Sequence, residues 1–238
     1  MQEEKQKRCG YRPQTAAAVR ANRLRRERAR RRRQVRRWTA FFGILAVFAA
    51  VAGGLARCAR QPRVDLTKIQ SPDWIEQAFL DPDGDARTGE TIPVVRDIAI
   101  HYVGNPGTSA MGNRSYFNQP GVEVCSHFIV GLDGEVVQCL PLCEKSAATN
   151  QRNIDTISIE VCHPDETGKF NEKTYAALVK LAAWLCSELQ LDEENLIRHY
   201  DVTGKLCPLY YVEHEDAWEQ LKRDVGEQLA AGGQQAGA

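Results

Sequence analysis

The sequence predicts an α/β domain, one sheet covered by helices, and three observations carry that prediction. Apolar runs bounded by turn residues recur at 95–102, 124–130 and 154–161, as buried strands require. Asp133-Gly134, between the second run and residues 135–140, is a hairpin signal. Behind Asn171, a favourable N-cap, Tyr175, Leu178, Val179, Ala182, Leu185 and Leu189 fall on one helical face long enough to cover such a sheet.

Taken in order, the chain opens on a charge imbalance that its net charge of zero conceals. Residues 1–37 hold 15 Lys and Arg against three Glu, whereas the other 201 residues hold 16 basic and 28 acidic side chains. Residues 20–37, with Arg30-Arg31-Arg32-Arg33, are too charged and too poor in apolar side chains to pack a core, so residues 1–37 read as a basic arm. Read alone, such an arm suits nucleic acid or a nuclear address. The adjoining residues favour a membrane instead. Residues 38–56 contain no formal charge and are bounded by Arg37 and Arg57, and an α-helix needs about 20 such residues to cross the hydrocarbon layer.

A cleaved signal has a shorter basic region and an apolar stretch of roughly 7–15 residues. Residues 38–56 are therefore expected to form one transmembrane signal-anchor helix. By the positive-inside rule the arm stays cytoplasmic, and everything after Ala56 lies outside the cell membrane as the outer part of a single-pass protein. Leu55-Ala56-Arg57-Cys58 resembles a lipoprotein processing site but puts Arg57 where a small residue belongs. The acidity of the outer portion makes nucleic acid an unexpected partner.

Residues 57–91 read as a linker carrying a short amphipathic helix. Ser71-Pro72-Asp73 offers its start, and Trp74, Ile75, Ala78 and Phe79 share a face. Asp81-Pro82-Asp83-Gly84-Asp85 mimics a calcium loop, but its glycine falls inside the acidic triplet and no Glu stands at the twelfth position, so it reads as a turn. The main domain, 92–229, then runs strand, short helix within 109–119, two hairpin strands, the 154–161 strand, the long helix, a strand at 196–199 and a final helix over 212–229. Residues 230–238 read as a disordered Ala/Gly/Gln tail.

Chemistry concentrates in residues 195–207. Leu196 and Ile197 lead into Arg198-His199, a glycine turn comes next, and Lys205 and Cys207 stand two apart before Pro208. Imidazole and thiolate both bind Zn²⁺, and a catalytic zinc takes three protein ligands and leaves one position open. His199 and Cys207 would supply two, and His101, near the end of the 95–102 strand, is the candidate third. Singly, each has a bland reading, since a histidine after an apolar strand is commonly a packed residue and a lone cysteine a small hydrophobe. Spacing does not choose between these readings, because His101 and His199 are far apart in sequence.

The chain carries a more specific conjunction. Ile98-Ala99-Ile100-His101-Tyr102, Ser126-His127-Phe128-Ile129-Val130 with Asp133-Gly134, Ser158-Ile159-Glu160, and Arg198-His199-Tyr200-Asp201 through Lys205-Leu206-Cys207-Pro208 occur in that order. Together they resemble the zinc-dependent N-acetylmuramoyl-L-alanine amidases of phage-lysozyme and peptidoglycan-recognition-protein type, over residues 93–215. The resemblance implies a single mixed β-sheet flanked by helices and a Zn²⁺ held by His101, His199 and Cys207. It implies Glu160 as general base and Lys205 as the charge that stabilises the oxyanion. The reaction implied is hydrolysis of the amide between the N-acetylmuramic acid lactyl group and L-alanine, with peptidoglycan or a muropeptide as substrate.

Phage-type members carry a catalytic tyrosine where this chain has Ser126, so the base role passes to Glu160, as in the muropeptide-recycling branch. A non-catalytic peptidoglycan-binding module of the same fold is the alternative. Such relatives lose zinc ligands, usually the cysteine, and here all three matching positions hold competent ones. His127 reads as a packed histidine beneath the metal, His163 as a loop residue, His214 as exposed, and Asn153 as either a turn residue or a substrate contact. Cys125, Cys139, Cys143, Cys162 and Cys186 are an odd set, which argues against a complete disulfide framework. Nothing in the sequence sets the oligomeric state.

Overall fold

A computed structural model describes residues 64–235. The basic arm 1–37 and the membrane span expected at 38–56 lie outside the described residues. In chain order the strands are β1 (Ile75–Gln77), β2 (Asp97–Tyr102), β3 (Phe128–Val130), β4 (Val136–Gln138), β5 (Thr156–Val161) and β6 (Leu196–Arg198). Side by side they run β1-β4-β3-β5-β2-β6 in one sheet. Among these strands only β3 and β4 pair antiparallel, through the hairpin at Asp133-Gly134. Gly134 adopts φ +86° there, a backbone conformation that a Cβ disfavours. The other pairings are parallel, so the sheet is mixed.

β2 and β5 are largely buried on both faces because helices and loops cover both sides of the sheet. Alternation along the strands divides the buried residues into two layers. Ile98, Ile100, Phe128, Ile157 and Ile159 point into a large core completed by α2 (Glu172–Leu189) and by the C-terminal helix, which contributes Trp218, Leu221 and Val225. The opposite face is smaller. Ile129 and Val137 meet Ala110 and Phe117 of α1 (Ala110–Phe117), together with Leu80 and Ala86 from the segment before β2.

α2 starts where its sequence directs. Asn171 Oδ1 accepts from the Thr174 amide at 3.0 Å, and the Asn171 side-chain amide also donates to the Leu132 carbonyl at 3.0 Å, joining the helix start to the hairpin. The helix ends at Gln190, in the left-handed region at φ 56°. After β6 come α3 (His199–Thr203), α4 (Leu209–Glu213) and α5 (Glu215–Gln235). Arg198 fastens this end of the molecule: its buried guanidinium pairs with Asp201 at 2.9 Å and Glu215 at 2.6 Å and also donates to the Tyr211 carbonyl.

Several boundaries differ from expectation, each for a physical reason. The amphipathic helix expected at 71–79 is instead a turn followed by β1, which pairs in parallel with β4 from Ile75 opposite Val136 to Gln77 opposite Gln138. A segment that short cannot meet the cost of helix nucleation, whereas the edge of β4 offers ready backbone partners. Residues 64–91, expected as a linker, pack as part of the unit Pro62–Ala238. The final helix divides at His214 into α4 and α5, and α5 continues to Gln235, so most of the expected disordered tail is helical. Ala and Gln are good helix formers, and the two glycines cost less than the existing helix gains by continuing. The 124–130 strand contracts to Phe128–Val130, and His199 is the first residue of α3 rather than the last of a strand. Among the described residues, no helix is long and apolar enough to cross a membrane.

Candidate metal centre and catalytic cleft

Parallel register assembles the centre. His101 lies directly opposite Glu160 in the β2–β5 ladder. Ile100 lies opposite Arg198 in the β2–β6 ladder, so His199, one residue on, arrives level with His101. The two imidazole rings sit 4.9 Å apart, centre to centre. Cys207 comes from the loop after α3. Gly204 ends that helix at φ 79°, and the Tyr200 amide donates to the Cys207 carbonyl at 3.0 Å, folding the loop back over the strand ends. Donor atoms of His101, His199 and Cys207 all lie within 4.8 Å of one another. Cys207 Sγ is 3.7 Å from His101 Nδ1.

Two neighbours orient the rings. His101 Nε2 is 3.1 Å from Thr149 Oγ1, and His199 Nε2 donates to Asn150 Oδ1 at 2.7 Å. Each hydrogen bond occupies the distal nitrogen and leaves Nδ1 for a cation, the usual outer support of a metal-binding histidine. Asn150 holds this position with φ 54°, in the left-handed region that asparagine tolerates better than most residues. Asn153 braces the same turn, its Oδ1 accepting from the amides of Ala148 at 3.2 Å and Thr149 at 2.6 Å.

The electrostatics suit a cation. Burial pushes the His101 imidazole down to about 3, with His199 and Lys205 adding to the effect. His199 is lowered by burial and then by Lys205. Both rings are therefore neutral near pH 7 and free to donate a lone pair. Burial raises the Cys207 thiol to about 12, with Glu160 contributing, so its proton leaves when a cation replaces it. Glu160 is only partly buried as a side chain, yet its Oε2 is sealed from solvent and has no hydrogen-bond partner. Burial raises its carboxyl to about 8, while Lys205 works in the opposite direction. A buried, unpartnered carboxylate oxygen beside three neutral donors is a group waiting for a proton donor or a cation.

All five residues singled out in the sequence line one cleft of about 900 Å³. Phe117, Glu123 and Val124 form its wall, and Lys205 stands on its rim with no ion-pair partner among the described residues. Ser126 does not reach the cleft; its buried hydroxyl donates to the Phe128 carbonyl at 2.8 Å. His127 is fully buried: Nδ1 accepts from the Ser158 amide at 3.0 Å and Nε2 donates to the Glu144 carbonyl at 2.8 Å. His163 lies against the Tyr102 ring, and His214 stacks on Tyr210. Cys125, Cys139, Cys143, Cys162 and Cys186 are all free thiols. Sequence reasoning missed Thr149 and Asn150. Only the frequency of asparagine at positive φ could have marked one of them.

The fold and donor set define a class: an α/β protein with a site for one metal ion at the C-terminal ends of neighbouring parallel strands, open to a cleft. More particularly, the chain belongs to the N-acetylmuramoyl-L-alanine amidase family, whose model matches residues 91–210. It is 28% identical over 156 residues to the amidase CwlL of Bacillus licheniformis, a match covering 58% of this chain and 43% of that protein. It is 28% identical over 160 residues to the amidase BlyA of Bacillus subtilis (strain 168), with the same two shares. The chain thus spans less than half the length of these relatives. The solved catalytic domain of XlyA superposes with a TM-score of 0.55 at 28% identity, covering 64% of this chain and 99% of that one.

Proposed function

We propose that the chain is a zinc-dependent hydrolase held at the cell membrane. Its substrate is the amide between the lactyl carboxyl of N-acetylmuramic acid and L-alanine in peptidoglycan. The observation that carries this reading is the meeting of three neutral donors, a carboxyl with one sealed oxygen and the Lys205 ammonium, without an ion-pair partner among the described residues, in one cleft. Zinc held by His101, His199 and Cys207 would polarise the scissile carbonyl and lower the pKa of water enough to provide a hydroxide nucleophile near neutral pH. Glu160 accepts the proton released by the attacking water and delivers it to the alanine nitrogen as the C–N bond breaks. The products are a lactyl carboxylate and a peptide with a free amino terminus. Lys205 contributes a fixed positive charge that stabilises the carbonyl oxygen as it becomes an oxyanion. Membrane attachment rests on the uncharged residues 38–56 behind the basic arm, with the acidic domain outside.

Digestion of purified peptidoglycan by the zinc-loaded full chain, read by mass spectrometry, tests the reading. The expected products are free peptides beginning with L-alanine and glycans that keep an intact lactyl group. Peptides still carrying sugars would assign a different bond, and binding without products would make the chain a recognition module.

A further inference from the structure

The wall of the cleft is held from outside the family-matched region. Residues within 112–125 line two cavities: the cleft with the candidate metal donors, and another of about 650 Å³ that shares Val103, Phe117, Val124 and Glu160 with it. This wall consists of α1, which packs on β3 and β4 through Ala110 and Phe117, and the loop after it, which joins no strand ladder. The fixing comes from residues 78–87. Arg114 of α1 donates to the carbonyls of Ala78, at 3.0 Å, and Phe79. The Asp81 amide donates to Asn118 Oδ1 at 2.8 Å, and Asn118 returns a bond to the Asp81 carboxylate at 2.6 Å. Asp85 accepts from the Gly121 amide at 2.6 Å.

The same segment is anchored at its own ends. Leu80 and Ala86 are buried beside Phe117 in the smaller core. Arg87 pairs with Glu144 through two 2.7 Å bonds and donates to the Leu80 carbonyl. A fixed segment thus adds polar ties to a helix that the sheet holds only through its apolar face, and to the loop after it.

We propose that residues 78–87 act as a positioning strap, setting how tightly the cleft holds its substrate and leaving the chemical step to the metal side. The proposal rests on the amidase reading. Phe117 carries the link: its side chain packs against the strap's Leu80 layer and also lines the cleft. The metal donors belong to β2, the start of α3 and the loop after it, none of which carries these bonds. A shift of the wall therefore weakens contacts to the substrate away from the reacting carbonyl, and lost uniform binding appears in KM with kcat unchanged.

The test compares the zinc-loaded full chain with Arg114→Ala and Asp85→Ala, using a muramoyl tripeptide as substrate. Zinc content and a thermal melt are measured for each variant. KM should rise about tenfold or more with kcat within about twofold. Arg114→Lys and Asp85→Asn, which keep a donor and an acceptor, should recover much of the loss. An unchanged KM in folded variants overturns the proposal, as does a fall in kcat accompanied by loss of zinc. If Arg114→Ala fails to fold, the exposed Asp85 decides the matter. Should the wild type cut nothing, the amidase reading fails by itself, and calorimetric Kd values for the same tripeptide still judge the strap. Equal Kd values, or no binding by any form, overturn it.

Discussion

Glu160 and Lys205 face one cleft with opposite effects on the same proton, and this yields the first expected outcome. A general base works ionised, so kcat/KM should fall on the acid side of the Glu160 pKa. Burial places that pKa at about 8 in the metal-free site, and a bound cation lowers it, so the acidic limb should lie below pH 8. Glu160→Gln keeps the shape and loses the basicity. It should retain zinc while kcat falls by about 10²–10⁴-fold. Lys205→Met removes the charge that lowers Glu160 and should move the limb to higher pH. Thr149→Val and Asn150→Ala should each weaken zinc by about 10–100-fold, measured by competition with a chelator, because each frees a ligand ring to turn. The three candidate donors could be named only through the resemblance carried by motifs in the family's order, since residue type and spacing alone left bland readings open. Thr149 and Asn150 could not, because their role depends on where a turn places two side chains against rings remote in sequence.

Among the secondary-structure elements, α2 was legible and β1 was not, and the difference is physical. α2 carries its own instructions: a capping asparagine, one continuous apolar face and 18 residues over which to repay nucleation. Asn171→Ala should cost about 1–2 kcal/mol in urea unfolding, because it removes the cap and the bond to the Leu132 carbonyl together. β1 has three residues, and Trp74, Ile75, Ala78 and Phe79 have a spacing that a helix could equally use. Its conformation is decided by the vacant edge of β4, which no local pattern announces. β3 is a similar case, where an apolar run promised a longer strand. The paired strand covers only Phe128–Val130, although the His127 backbone still bonds to Ser158 and Cys139 on either side.

Two buried groups give the folded domain opposite responses to pH. His127 is held neutral, and burial takes it from 6.5 down to about 4. The unfolded chain therefore binds more protons below pH 6.5, so stability from this residue is lost as pH falls through 4. Glu160 is raised from 4.5 to about 8. The folded state holds that proton more tightly, so its contribution is lost as pH rises from 4.5 through 8. Thermal melts of the metal-free protein should decline on both sides, and Glu160→Gln should flatten the alkaline decline alone. At the level of the entire chain, protease added to intact spheroplasts should digest residues after 56 while an N-terminal tag survives. Loss of the tag with protection of the domain would reverse the proposed orientation.

In the proposed zinc site the three donors would not be equally free to let go. His101 belongs to a strand with a hydrogen-bonded neighbour on each side, and His199 comes directly after such a strand. Cys207 rides on the loop after Gly204, tied back through the Tyr200 amide. Short loops open far more often than central strands. A chelator should therefore strip the ion at the tempo of that loop, long before the domain melts, and the emptied protein should reload without refolding. The half-life of the bound ion and the half-life of the fold are then separate clocks, and a substitution in the loop can reset the first without touching the second.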